Sequence, residues 1–115
     1  MEISDYCREY KVAYLEVVST VSFERETFGS IDNLPYKGLY QGLLGDINAI
    51  KNLIEWLGDD GFKSHKQGEL NAVTFLYDQK LICIFYIYQP KGIGFMEYNR
   101  LLYTHFKETI QTYHL

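Results

Sequence analysis

His65 and His105 are two residues of this chain whose type could support acid-base catalysis. One neutral and one protonated imidazole can serve as the base and the acid of a metal-independent ribonuclease. The sequence does not bring them together, because His65 lies in a short polar segment and His105 at the margin of an apolar helical pattern. A histidine at such a margin is more often a hydrogen-bonded part of the core. A small nuclease is therefore the third of three functional hypotheses.

Metal and cofactor motifs are also weak. His105 and Glu108 are three residues apart, but a pair on one helix does not complete a metal-ligand set. Residues 91–94 superficially suggest a phosphate-binding glycine loop. Glu97 stands where that fingerprint needs a third glycine, and its charge would repel a phosphate. The sequence therefore predicts no cofactor and no metal.

Acidic side chains gather at the end of the second predicted helix, at Glu55, Asp59 and Asp60. Each negative charge at a helix C-terminus opposes the helix dipole and costs about 0.3–1 kcal/mol. Such a cluster can be kept for a basic partner, although a solvated polar loop is the more ordinary interpretation. The net charge of −4 also favours a basic partner and disfavours direct nucleic-acid binding, which normally uses a basic patch.

Residues 70–88 are typical of a β-hairpin, with β-rich arms on either side of Asp78 and Gln79. The second arm, residues 81–88, contains no charged side chain. A strand with one face in water alternates apolar and polar residues, and this arm does not. Both of its faces must therefore be covered.

Pairing across the Asp78-Gln79 turn divides the hairpin into two faces. The face expected to form the core contains Leu70, Ala72, Thr74, Leu76, Leu81, Cys83, Phe85 and Ile87. The opposite face, called here the tyrosine-tipped face, contains Asn71, Val73, Phe75, Tyr77, Lys80, Ile82, Ile84, Tyr86 and Tyr88. Tyrosine suits a surface that is covered but stays wet at its margin. Either a helix of the same chain or another molecule must cover this second face.

Helical patterns account for most of the remaining chain. Residues 5–26 show an apolar stripe that predicts a helix, with a strand over residues 12–23 as the alternative because that stretch is rich in β-branched residues. A second helix is predicted over residues 35–57, ended by Gly58 and followed by a polar loop to residue 69. A last helical stripe runs over residues 95–113.

These elements follow the order helix, helix, strand, strand, helix. We therefore expect an α+β fold in which three helices pack on an antiparallel β-hairpin or small sheet. Residues 1–115 are expected to form a single globular domain.

The composition predicts a soluble cytoplasmic protein. Apolar residues make up 47% of the chain and charged residues 23%, which is ordinary for a globular protein. The amino terminus lacks the basic and then apolar pattern of a signal peptide. The longest apolar run, residues 81–88, is far shorter than the roughly 20 residues that span a bilayer. We expect no membrane contact.

The chain is small and acidic, contains 11 tyrosines and carries no catalytic motif. In this general character it resembles bacterial immunity proteins that neutralise secreted toxins, including those of contact-dependent growth inhibition systems. The resemblance implies a non-enzymatic inhibitor that occludes the active site of a basic nuclease toxin. The alternative is a homodimeric regulatory or ligand-binding module that self-associates through the tyrosine-tipped face. The partner-binding residues expected for the inhibitor are Glu55, Asp59 and Asp60 for charge, with Tyr77, Tyr86 and Tyr88 as anchors.

Overall fold

The computed structural model describes residues 2–58 and 61–110. These residues form four α-helices and one five-stranded antiparallel sheet, so the fold is mixed α+β. The expected arrangement of three helices on a hairpin is wrong. The observed order is α-β-β-α-α-β-β-β-α, with a short 3-10 helix at Ile31–Asn33 before the second α-helix. Within this part of the chain, no helix has both the length and the apolar character that crossing a membrane requires.

The secondary structure elements are short, and the longest is the last helix. The helices are α1 Ile3–Glu9, α2 Gly38–Leu44, α3 Ile47–Leu57 and α4 Phe95–Thr109. The strands are β1 Tyr14–Ser19, β2 Arg25–Gly29, β3 Phe62–Gln67, β4 Leu70–Tyr77 and β5 Lys80–Tyr86.

The long helix predicted over residues 5–26 is wrong, because α1 ends at Glu9 and a hairpin of β1 and β2 follows. Lys11 has a φ of 55°, which takes the chain out of the helix. β1 lies between β2 and β5, and its first five residues are buried. A strand that is buried on both faces reads as a continuous apolar run, which a helical stripe can imitate. The β-branched alternative over residues 12–23 lies closer to the observed strand.

The single helix predicted over residues 35–57 is divided into α2 and α3. Asp46 separates them with an extended backbone, φ −147° and ψ 174°, and caps α3 by accepting a hydrogen bond of 2.8 Å from the Ala49 amide. Gly58 ends α3, as predicted, with a φ of 61°. The polar loop predicted as far as residue 69 is wrong, because β3 forms the outer edge of the sheet against β4.

The predicted pairing of β4 with β5 is confirmed: Ala72 pairs with Phe85 and Thr74 with Cys83. Asp78 has a φ of 52° in the turn, and the next residue also has a positive φ. Two such residues are typical of the type I′ turn that matches the twist of a hairpin.

The sheet has the strand order β2-β1-β5-β4-β3, with helices on both faces. α2 and α3 cover the face on which the hairpin core was predicted. The buried residues of this layer include Leu43, Leu44, Ile50, Leu53, Leu57, Leu70, Ala72, Leu81, Cys83 and Phe85. Ile87, which was also expected there, follows the end of β5 and is exposed.

The tyrosine-tipped face is covered by α1 and α4 of the same chain. The buried residues of this second layer include Ile3, Tyr6, Val73, Phe75, Ile82, Ile84, Tyr86, Tyr98, Leu102 and Phe106. The centre of the face is therefore an internal layer of the fold, and Tyr88 at its margin stays partly exposed.

Candidate functional site

The acidic residues proposed for partner binding are only partly described. Glu55 lies on α3 and its side chain is exposed. Asp59 and Asp60 lie outside the described residues. Glu55 is thus available for a partner on the α2 and α3 side of the sheet.

The three tyrosines proposed as anchors lie on the α1 and α4 side, so the structure does not bring them together with Glu55. Tyr86 is 0% exposed and donates its hydroxyl proton to Asn99 Oδ1 at 2.5 Å, with the Phe95 carbonyl oxygen 3.3 Å from the same hydroxyl. Tyr77 is half-buried and donates to the carbonyl of Ile110 at 2.7 Å. Tyr88 is 40% exposed, so of the three it offers the most surface to a partner.

The two histidines considered for catalysis lie on opposite sides of the sheet. His65 on β3 is 2.8 Å from the Thr74 hydroxyl and contacts Trp56 of α3. His105 on α4 is hydrogen-bonded to Tyr10, which follows α1. Two imidazoles separated by the sheet cannot act on one scissile bond. His65 and His105 therefore do not form the acid and base pair that the nuclease hypothesis requires.

Burial lowers the pKa of His65, and the nearby Lys63 ammonium lowers it further. The neutral form therefore dominates in the folded protein near neutral pH. Among the described residues, no three His, Cys, Asp or Glu side chains gather closely enough to hold a metal ion.

Glu16 is a buried carboxylate that sequence reasoning missed. Its Oε1 accepts hydrogen bonds from the Tyr14 hydroxyl at 2.5 Å and the Tyr40 hydroxyl at 3.1 Å. Its Oε2 lies 3.4 Å from the guanidinium of Arg25. Burial, followed by the hydrogen bond to Glu16, raises the pKa of Tyr14. This network joins β1, β2 and α2, which is a structural role.

A groove of about 570 Å³ lies between α2 and α3, on the outer side of that layer. The residues lining it are Gly42, Leu43, Asp46, Asn48, Ala49, Asn52, Leu53 and Trp56. Leu43 and Leu53 are buried and form an apolar floor, whereas Asp46, Asn48, Asn52 and Trp56 are exposed. These lining residues include one carboxylate and no cationic side chain. The groove thus combines an apolar floor with hydrogen-bonding and acidic groups at its edge.

Trp56, the only tryptophan of the chain, is 58% exposed at one end of this groove. It lies next to Leu57, which is buried, because successive helix residues are turned by about 100° from one another. The Lys63 ammonium of β3 lies 4.9 Å from the centre of the indole ring, and the His65 ring lies 5.8 Å from it. Tryptophan combines a large apolar body with one N–H donor and is enriched at interfaces, so this exposed indole beside a groove is a candidate contact for another molecule.

No protein-family model matches this sequence, and no curated protein matches it either. Among solved structures, the fold is similar to that of Myxococcus xanthus MglB, with a TM-score of 0.56. The two sequences are 9% identical, and the match covers 91% of this chain and 85% of that chain. The similarity shows a shared fold.

A likeness at 9% identity identifies no functional residue, so the candidate site rests on the side chains of this chain. Trp56 and Asp46 were not selected from the sequence, although a signal for Trp56 existed. It lies outside the apolar stripe of its helix, and tryptophan is among the residue types enriched at interfaces. Asp46 gave no such signal, because its position beside the groove depends on the division of the predicted helix.

A second, smaller groove of about 310 Å³ runs along α4 and is lined partly by Glu97, Arg100 and His105. The opposite charges of Glu97 and Arg100 give it no charge preference, and it holds no side chain as exposed and as large as Trp56. The α2–α3 groove with Trp56 is therefore the candidate functional site.

Proposed function

We propose that this chain is a non-catalytic inhibitor of the immunity-protein type, which acts in the cytoplasm by covering the active site of a basic toxin domain. Trp56, 58% exposed beside a groove of about 570 Å³, is the observation that supports the proposal. Glu55 of α3 and Asp46, which precedes that helix, contribute negative charge, because both are exposed on this layer.

Trp56 has the properties of an interface anchor. Tryptophan is enriched among the few residues that carry most of the binding energy of an interface, each worth at least about 2 kcal/mol. The acidic residues serve a different purpose, because exposed charges mainly steer a basic partner and speed its association. Asp59 and Asp60 follow α3 in sequence and are proposed to add to this steering.

The three tyrosines expected as anchors have different roles in the proposal, because they differ in burial. Tyr86 is fully buried, and we propose no direct contact for it. Tyr77 is half-buried and bonded within the chain, so it supports α4. Tyr88 lies on the other side of the sheet from Trp56 and would contact only a partner that reaches around the end of the sheet.

The test is binding of the purified chain to the toxin domain encoded beside it, measured by isothermal titration calorimetry together with protection of cells that express that toxin. Wild-type protein is expected to bind one to one and to protect. Trp56→Ala is expected to weaken binding by about 2 kcal/mol, close to 30-fold, because it removes the anchor.

Met96→Ala is the matched control, because Met96 is 55% exposed on α4 at the other face of the sheet. It is expected to leave affinity unchanged. Wild-type protein that neither binds nor protects would overturn the proposal, as would degradation of RNA by the chain alone.

A homodimeric regulatory module is the second candidate, and one observation favours it. Trp56 is exposed on α3, and a large apolar side chain there would suit a second copy as well as a different partner. Light scattering after size-exclusion chromatography distinguishes the two, because a stable dimer that Trp56→Ala dissociates would support self-association instead of inhibition.

A further inference from the structure

We infer that the α2–α3 groove binds an extended basic segment of the partner, with two arginine side chains four residues apart: one stacks on Trp56 and the other pairs with Asp46. The inference rests on the proposed function and names the chemistry of the partner segment.

Lys63 shows that the indole ring of Trp56 can hold a cation. Its ammonium group lies 4.9 Å from the centre of the indole ring, so the ring already holds a cation of the same chain. Arginine is the better ligand for an indole face, because its planar guanidinium stacks on the ring and is more weakly hydrated than an ammonium group. A partner arginine therefore displaces Lys63, whose long side chain can move away from the ring.

Asp46 supplies the complementary charge at the other end. One of its oxygens accepts the 2.8 Å hydrogen bond from the Ala49 amide that caps α3. A carboxylate offers about four lone-pair positions, so the side chain can cap the helix and accept an arginine together. Asp46 is exposed, and the groove contains no cation that would compete for it.

The length of the groove sets the spacing of the two arginines. Trp56 is ten residues beyond Asp46, about 15 Å along the helix axis at 1.5 Å per residue. An extended chain rises about 3.3 Å per residue, so four steps cover about 13 Å, and flexible arginine side chains cover the rest. Even spacing also places both side chains on the same side of an extended segment.

The middle of the groove suits the backbone of such a segment. Asn48, Asn52 and Trp56 follow one another at four-residue steps, which places them along one ridge of α3. Each asparagine amide can donate to a peptide carbonyl and accept from a peptide N–H. Leu43 and Leu53 below them offer an apolar floor for small side chains between the arginines.

Gly42 keeps the opposite wall of the groove open. A Cβ atom built there meets no atom of the described residues within 4 Å, so they leave the space beyond it open. A large side chain at this position would project into that space and occupy the place of the segment. Gly42→Phe is thus a blocking variant and Gly42→Ala its matched control.

Tryptophan fluorescence tests the inference directly, because Trp56 is the only tryptophan of the chain. The probe is the peptide acetyl-Arg-Ala-Ser-Ala-Arg-amide. Wild-type protein is expected to show a saturable change in emission. Lys63→Ala is expected to tighten binding about threefold by removing the competing cation. Asp46→Asn is expected to weaken binding about threefold while keeping the helix cap, since asparagine caps as well as aspartate.

Gly42→Phe is expected to abolish the fluorescence change and Gly42→Ala to preserve it, with circular dichroism showing that both variants fold. A peptide with its arginines three residues apart is expected to bind more weakly. The inference is overturned if both spacings respond equally, if a glutamate version of the peptide binds more tightly, or if Asp46→Asn and Gly42→Phe both bind like wild type.

Failure of the inference and failure of the proposed function are distinguishable. Toxin binding that depends on Trp56 but not on Asp46, Lys63 or Gly42 would keep the inhibitor and remove the arginine segment. The expected peptide response without toxin neutralisation would keep the groove chemistry and remove the inhibitor.

Discussion

Glu16 is the residue whose environment departs most from what its type favours. It is 0% exposed in the sheet. In the described part of the chain its Oε2 accepts no hydrogen bond, and the positive charge nearest to it is the Arg25 guanidinium at 3.4 Å. A buried carboxylate depends on its partners, because removing the positive charge leaves a desolvated negative charge behind. Arg25 therefore holds the edge strand β2 to the sheet through this carboxylate as well as through the backbone.

Arg25→Met is expected to lower the free energy of unfolding by about 1–3 kcal/mol, less than a fully buried pair would lose, because the Arg25 side chain is partly exposed. Urea denaturation measures this loss, and adding Glu16→Gln should restore part of it by removing the unpaired charge. Arg8→Met is the matched control, because the Arg8–Asp5 pair is exposed and should change stability by less than about 0.5 kcal/mol. Equal losses from the two arginine variants would mean that the Glu16 pair is no stronger than a surface pair.

The elements differ in how well the sequence predicts them, because they differ in how many of their faces are buried. The sequence predicts the β4–β5 hairpin and its register, because the turn at Asp78 and Gln79 and the apolar pattern of both arms indicate the same pairing. The sequence of β1 resembles a helix, since burial on both faces removes the alternation that identifies a strand. The sequence of β3 resembles a loop, because an edge strand can carry polar residues such as Lys63 on both faces.

The candidate site was harder to predict than the fold. Glu55 was selected from its charge and is exposed, whereas the groove exists only because the predicted helix is divided at Asp46. No local pattern gives the angle between α2 and α3, which their packing on the sheet decides. Tyrosine content did not identify partner-binding residues correctly, because Tyr86 is buried in the core of the fold.

Gly58 at the end of α3 has a backbone that other residues avoid, with φ 61° and ψ −143°. Gly58→Ala is therefore expected to destabilise the protein by about 1–3 kcal/mol through backbone strain, since a Cβ there meets no atom of residues 2–58 and 61–110 within 4 Å. Thermal unfolding followed by circular dichroism measures the loss. Gly42→Ala, inside α2, should instead be neutral or stabilising by up to about 1 kcal/mol. A Gly58→Ala variant as stable as wild type would show that α3 can end in another conformation.

The whole molecule is a sheet with a helical layer on each face. Because of this arrangement, a substitution on the tyrosine-tipped face of the hairpin tests folding and not association. Had the tyrosine-tipped face been an interface between molecules, a charge introduced there would separate them and leave each one folded. In the observed fold that face is an internal layer, so the same charge acts on folding itself. Tyr86 is the residue at which the two alternatives differ most, because it is fully buried and hydrogen-bonded to Asn99 of α4.

Tyr86→Arg is expected to prevent folding, because an unpaired charge in this layer costs several kcal/mol, a large share of the stability of a domain of this size. Tyr86→Phe should cost only about 1–3 kcal/mol, for the partner lost by Asn99, and Tyr88→Arg should fold normally, since Tyr88 is 40% exposed. Circular dichroism and size-exclusion chromatography with light scattering measure both properties together. A folded Tyr86→Arg monomer obtained from a wild-type dimer would place the tyrosine-tipped face between molecules and contradict the covering of that face by α1 and α4.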